Sequence, residues 1–197
     1  PRVRDAAALG AYRGQLRTIV PAADTPTLRA AVAELQRGLY GLLGCEVPVS
    51  ADPEAPGALL LGPRGAPALA AFESAATAAD LGREGFLLQT STGGPSRTGI
   101  VGTNELGALY GAFHLLRLIQ CGQSTQRLSS ASRPRVGLRL LNHWDNLDRT
   151  VERGYAGFSL WDWQKLPHYR EPRYTDYARA CASLGINGSV LTNVNAD

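Results

Sequence analysis

The stretch Gly137-Leu138-Arg139-Leu140-Leu141-Asn142-His143-Trp144-Asp145-Asn146-Leu147-Asp148 begins as an apolar run and ends in a dense cluster of polar and aromatic side chains. Such a run is typical of a buried strand whose carboxyl end opens onto a site. The pattern recurs where Ser189-Val190-Leu191-Thr192 leads into Asn193-Val194-Asn195. Two strands of this kind with a helix between them predict the first steps of a parallel (β/α)8 barrel, in which the chemistry sits at the carboxyl ends of the strands.

The last third of the chain contains four separated blocks whose order and spacing are distinctive. They are residues 139–148, 152–157, 177–180 and 186–196. Together they resemble the family 67 α-glucuronidases. The resemblance implies an enzyme that hydrolyses, by inversion, the α-1,2 bond between glucuronic acid or its 4-O-methyl ether and xylose in xylan fragments. The sequence departs from the family pattern at Arg149, which follows Asp148 where relatives often carry Gly.

The length of 197 residues sets the domain organisation that we expect. A complete barrel needs about 250 residues, so a barrel that begins near Val136 would be incomplete. The sequence also holds no Met. We therefore expect a piece of a longer protein, with an α+β N-terminal accessory domain at 1–125, a linker at 126–135 and the start of a (β/α)8 TIM-barrel catalytic domain at 136–197.

The N-terminal domain is predicted from alternating helix and strand patterns. A β-prone piece covers 14–21, a helix should run from a cap at Asp24 or Thr25 to Gly44, and a strand should cover 58–62. A hairpin with strands at 86–90 and 98–101 should follow, and Asn104 should cap a second helix. This order resembles the small domain that precedes the barrel in family 67 and in several other glycoside hydrolases.

The pocket prediction rests on sugar chemistry and on the resemblance. A pyranose ring has apolar C–H faces and a polar equator. The Trp144 ring could stack on such a face, and its polar neighbours could hydrogen-bond to the equator. The resemblance adds a tryptophan at the end of the first barrel strand and a valine near the end of the second. The predicted substrate-binding residues are Trp144, Val194, Asn142, Asp145 and Asn195. Against this, a Trp at a strand end is often part of a core.

No catalytic residue is assigned. Glycosidases use two carboxyl groups, and from the residues alone Asp145, Asp148 and Glu152 could supply a pair. The resemblance argues against such a pair, because it places the acid and base on later barrel strands, outside this chain. Arg139 and Arg153 could bind a uronate, but we favour internal ion pairing for both.

Composition excludes several classes of protein. The 20 basic residues are scattered, which argues against nucleic acid as a partner. No apolar run is long enough to span a membrane. No phosphate-binding glycine loop and no Cys/His cluster is present, so no cofactor is implied. The three cysteines are interpreted as buried or free thiols rather than as a disulfide framework, and the compartment is only weakly constrained.

Alternatives to the leading hypothesis stay open. The fragment could be a non-catalytic carbohydrate-binding or bracing module, or part of another glycosidase that shares the N-terminal domain, such as a hexosaminidase relative. The aromatic loop at 161–174 could extend a binding surface for glucuronic-acid-substituted xylooligosaccharides, or it could simply pack. The resemblance also implies a homodimer of the full-length protein.

Overall fold

The chain forms two compact units that divide between Arg135 and Val136. The computed structural model describes residues 2–91 and 94–193. The first unit contains α1 (Ala6–Gln15), β1 (Thr18–Pro21), α2 (Pro26–Leu43), β2 (Ala58–Pro63), a 3-10 helix (Pro67–Phe72), α3 (Glu73–Ala78), β3 (Phe86–Thr90), β4 (Thr98–Gly102), α4 (Glu105–Gln120) and β5 (Ser129–Ser132). The second contains β6 (Leu140–Asp145), α5 (Arg173–Ser183) and β7 (Gly188–Asn193).

The sheet of the first unit has the strand order β1-β2-β4-β3-β5. Its strands β1, β2 and β4 are parallel, whereas β3 pairs with β4 and with β5 in the antiparallel sense. The predicted hairpin is therefore β3–β4, and it adds an antiparallel half to a parallel one. The prediction of a mixed sheet with helices is confirmed.

Helix α2 begins and ends as the sequence chemistry predicts. The Thr25 hydroxyl accepts a hydrogen bond from the Leu28 N–H at 3.3 Å, and Pro26 occupies the first turn, where its missing N–H costs nothing. Gly44 ends the helix with a left-handed φ of 70°. Asn104 caps α4 in the same manner, because its side-chain oxygen accepts from the Gly107 N–H at 2.9 Å.

The sheet is buried on both faces. On β2, Leu59 and Leu61 face a cluster formed with α2 and α4, whereas Leu60 faces a smaller cluster that includes Leu69 and Phe72 of the 3-10 helix. Alternate side chains of a strand point to opposite faces, so a run of three leucines satisfies both layers. This explains why β2 is a continuous apolar run.

Three helical or extended segments of the first unit were not predicted. Residues 14–15 belong to α1, which Asp5 caps by accepting from the Ala8 N–H, so the β-prone piece shrinks to β1. The helical residues 67–78 are short and rich in Ala, which leaves little periodicity to detect. Strand β5 lies inside the predicted linker; its small, polar residues pair with β3 at the sheet edge.

The second unit is a β-α-β arrangement. Strands β6 and β7 are parallel, with Leu140 opposite Gly188 and Trp144 opposite Thr192, and α5 lies between them in sequence. The prediction that β6 is a buried strand is wrong for the structure described: Leu140 is 46% and Leu141 38% exposed. Two strands and one helix leave most of the ladder uncovered. The complete eight-stranded barrel stays a prediction.

None of the helices in the described ranges is both long and apolar enough to cross a lipid bilayer.

Candidate functional site

The candidate site lies at the carboxyl end of β6. His143 approaches α5, because its Nε2 lies 2.7 Å from the Tyr177 hydroxyl. Since side chains alternate along a strand, Asn142 and Trp144 belong to the opposite face. Both are exposed, Trp144 by 49%. The structure thus presents two of the predicted binding residues together on an open face that α5 does not cover.

Strand β7 pairs with β6 beside the candidate site. On β7, Val190 stands in register with Asn142, and the ladder continues to Asn193 opposite Asp145. The predicted binding residues Val194 and Asn195 lie outside the described residues. Their contact with sugar stays a prediction.

Asp145 is the last residue of β6 and is 1% exposed. The Ser159 hydroxyl, also buried, donates a hydrogen bond of 2.5 Å to its Oδ2 atom. This bond joins the strand to the far end of the loop that follows it. Asp145 therefore anchors the loop, and a contact between its carboxylate and sugar stays a prediction. The role of Ser159 was missed, because a single serine in a loop carries no pattern.

The loop from 146 to 159 folds back on the strand end through main-chain bonds. The Glu152 N–H donates to the Trp144 carbonyl at 2.7 Å, and Asp145 forms a bridge with Val151. The Asn146 amide donates to the Glu152 carbonyl, also at 2.7 Å. These contacts fix the backbone from the Trp144 carbonyl onward.

The backbone conformation of Arg149 explains why relatives often carry Gly at this position. Its φ is 73°, a left-handed conformation that glycine adopts without strain and that costs other residues about 1–2 kcal/mol. The guanidinium offsets part of this cost by donating to Asp162 and to the Ser159 carbonyl, both at 3.2 Å. Asp162 is also paired with Lys165 at 3.1 Å.

The local carboxylates are occupied by partners within the loop. Hydrogen bonds from the side chain and the N–H of Thr150 lower the pKa of Asp148. The Glu152 carboxylate accepts a hydrogen bond from Tyr155, and this bond raises the pKa of the Tyr155 hydroxyl. The arrangement favours structural roles for Asp148 and Glu152 over a catalytic pair.

The aromatic residues that follow the loop pack against each other. Trp161 lies 4.7 Å from Tyr174 and 5.4 Å from Tyr177, measured between ring centroids, and its edge meets the His143 ring at 5.8 Å. For Trp161 and Tyr174, the packing alternative is the one that the structure favours. Tyr169 is 49% exposed.

Arg139 serves the opposite end of β6. Its Nε donates to the Gly185 carbonyl at 2.5 Å and one terminal nitrogen to the Val136 carbonyl at 2.7 Å. Both of these acceptors are main-chain carbonyls, and the expected ion pair of Arg139 stays a prediction. Arg139 thus secures the amino end of the strand, whereas Trp144 lies near its carboxyl end. Arg153 is exposed.

Protein-family models match both parts of this chain. The model described as the glycosyl hydrolase family 67 N-terminus matches residues 1–115, and that of the family 67 middle domain matches residues 118–197. The chain belongs to glycosyl hydrolase family 67.

Named relatives of this family 67 chain include an alpha-glucuronidase of Hypocrea jecorina, 32% identical over 192 residues, with 91% of this chain and 22% of the relative covered. Alpha-glucuronidase A of Emericella nidulans is 40% identical over 119 residues, with 58% of this chain and 14% of the relative covered. The family 67 chain thus spans less than a quarter of the length of these relatives.

Solved structures resemble the family 67 chain in fold alone. A family GH115 4-O-methyl-alpha-glucuronidase with specificity for decorated arabinogalactans superimposes with a TM-score of 0.59 at 16% identity, covering 89% of this chain and 25% of that one. A GH138 enzyme that targets pectin rhamnogalacturonan II gives 0.57 at 18% identity, with coverages of 89% and 18%. The order of helices and strands therefore recurs in other glycoside hydrolases.

Proposed function

We propose that this chain is part of an α-glucuronidase that hydrolyses the α-1,2 bond between (4-O-methyl)glucuronic acid and xylose in xylan fragments, with inversion. Residues 1–135, which include the predicted linker and its strand β5, serve as an accessory domain, and residues 136–197 begin a (β/α)8 barrel. Membership of family 67 and the names of the relatives support this proposal.

The single observation that carries the proposed role of the site is the placement of Trp144. A half-exposed indole at the carboxyl end of a parallel strand offers a flat apolar face to the C–H groups of a sugar ring. Asn142 on the same face offers hydrogen bonds to its hydroxyls. The segment supplies one wall of the pocket, and Val194 and Asn195 extend that wall from the second strand.

The catalytic acid and base belong, in this proposal, to parts of the encoded protein outside residues 1–197. Support comes from the carboxyl groups near Trp144: Asp145 is bonded by Ser159, Asp148 by Thr150 and Glu152 by Tyr155. An inverting enzyme needs one carboxylic acid for the leaving oxygen and one carboxylate for the attacking water. The hydrogen bonds of these three carboxyl groups within the loop instead support structural roles for them.

The test uses the gene that encodes this chain, expressed from its start codon to its stop codon. Glucuronic acid released from an aldouronic acid is quantified for the unchanged protein, for Trp144→Ala and for Tyr40→Ala. Tyr40 is the matched control, since it is an exposed aromatic residue of the first unit. We expect Trp144→Ala to lower kcat/KM at least tenfold, equivalent to about 1.4 kcal/mol of transition-state binding, and Tyr40→Ala to leave it unchanged.

Proton NMR of the first product formed tests the stereochemistry, since inversion of an α-linkage releases the β-anomer. Activity that Trp144→Ala leaves intact would keep the enzyme but remove Trp144 from the pocket. A folded protein that releases no glucuronic acid would instead favour a binding module or a different glycosidase.

A further inference from the structure

Behind Trp144, three side chains connect β6, α5 and β7. The Tyr177 hydroxyl lies 2.7 Å from His143 Nε2 and 2.7 Å from the Ser189 hydroxyl. His143 belongs to β6, Tyr177 to α5 and Ser189 to β7. One helical side chain thus bridges two parallel strands on the face opposite Trp144.

Aromatic rings pack around this bridge. The His143 ring contacts Trp161 and Tyr177, with centroid distances of 5.8 and 5.4 Å, and Trp161 also packs on Tyr177 and Tyr174. Burial raises the pKa of the Tyr177 hydroxyl above its ordinary value. Neither His143 nor Tyr177 has a role in the site described so far.

The bridge lies immediately behind the candidate pocket. His143 is the residue before Trp144, so any rotation of β6 about its axis moves both side chains together. The register places His143 beside Leu191 and Trp144 beside Thr192 on β7. Hydrogen bonds that tie β6 and β7 to one helical residue oppose such a rotation.

We propose that His143 and Tyr177 are positioning residues, which fix the carboxyl end of β6 against β7 so that the Trp144 ring holds the orientation that receives the sugar. This role rests on the proposed function of Trp144. It assigns to the back face of the strands a part in substrate recognition without contact with the substrate.

The first test reads the position of Trp144 directly and needs no activity. 5-Fluorotryptophan labelling of the full-length protein gives a 19F spectrum in which Trp144→Phe identifies the signal of Trp144. Tyr177→Phe keeps the ring and removes both hydrogen bonds. We expect it to shift or broaden the Trp144 signal.

Tyr174→Phe is the matched control. It also removes a hydroxyl from α5, but that hydroxyl accepts from the Asp162 N–H at 2.9 Å and touches neither strand. The Trp144 signal should stay in place in this variant. A Trp144 signal that Tyr177→Phe leaves unmoved would overturn the positioning role, whatever the enzyme proves to do.

The second test measures coupling in the full-length protein. Tyr177→Phe should lower kcat/KM about fivefold when Trp144 is present and less than twofold in the Trp144→Ala background, because it acts through that ring. Equal losses in both backgrounds would show a merely structural effect and contradict the proposal. If the unchanged protein releases no glucuronic acid, the proposed function fails, and the 19F result alone decides whether the bridge positions Trp144.

Discussion

At the scale of single residues, the first unit depends on a polar group deep in its interior. Gln15 is 5% exposed, and its amide nitrogen lies within hydrogen-bonding distance of the Thr90 and Thr98 hydroxyls and of the Thr125 carbonyl. Its oxygen accepts from the Thr125 hydroxyl at 2.7 Å. The network ties α1 to β3, to β4 and to the segment before β5.

Gln15→Ala should lower the free energy of unfolding by about 2–3 kcal/mol, because it removes the amide that bonds the buried hydroxyls of Thr98 and Thr125, whereas the Thr125 carbonyl keeps its bond from the Thr90 hydroxyl. Urea unfolding followed by circular dichroism measures the change. The control is Gln36→Ala, since Gln36 is an exposed residue of α2 and should cost less than about 0.5 kcal/mol. Equal losses in both variants would contradict the importance of the network.

The residue scale also explains why Asp145 was predicted as a sugar ligand and found beneath a loop. The sequence shows that a carboxylate follows Trp144, but it does not show what covers it. Ser159, fourteen positions later, reaches Asp145 only because the loop folds back. Contacts between residues that are distant in sequence and lack a periodic pattern require the structure.

At the scale of secondary-structure elements, close approach of main chains decides where α4 can sit. A Cβ atom added at Gly107 would collide with the main-chain oxygen of Gly85 and would lie 3.2 Å from the Gly102 Cα. Main-chain atoms cannot rotate away as side chains can. The glycine therefore permits α4 to pack on the β3–β4 end of the sheet.

Gly107→Ala should destabilise the protein by about 2 kcal/mol through this collision. Gly41→Ala offers the opposite result: Gly41 is an exposed residue of α2 with nothing near its Cβ position, so alanine should stabilise by about 0.5–1 kcal/mol. Thermal unfolding of both variants gives the comparison. Two shifts of the same sign would refute the close-packing argument.

Element prediction succeeded where capping and periodicity were strong. Helices α2 and α4 have polar caps and long apolar faces, and β2 is an uninterrupted apolar run. It failed where local signals were weak. Helix α1 has Gly and Ala at many positions, and β5 is stabilised only by its pairing with β3. Edge pairing of small polar residues leaves no trace in the local sequence.

At the scale of the whole molecule, the two units differ in burial. The first contains two clusters of buried apolar side chains, one on each face of its sheet. In the described part of the second unit, no hydrophobic side chain is buried; Asp145 and Ser159 are its buried residues. Little buried apolar area means a small free energy for local opening.

Limited trypsin digestion of the 197-residue chain should therefore cleave the second unit first and leave a fragment that ends near Arg135. Both units carry arginines, for example Arg97 and Arg117 in the first and Arg153 and Arg170 in the second, so target residues are available throughout. Mass spectrometry of the products over time identifies the sites. Cleavage at equal rates in both units would contradict the difference in stability.

The sequence by itself determined the family, the mixed α+β layer and the caps of the two long helices. It also determined the parallel pair of strands to which the strand of Trp144 belongs. These features follow from local propensity, from periodicity and from motifs that lie close together in the chain. Only the tertiary structure decided that Trp144 and Asn142 share the open face of β6, that Asp145 lies beneath the loop, and that Tyr177 bridges the two strands. The reason is physical: strand register and loop folding set which side chains meet, and both depend on contacts between residues far apart in the sequence.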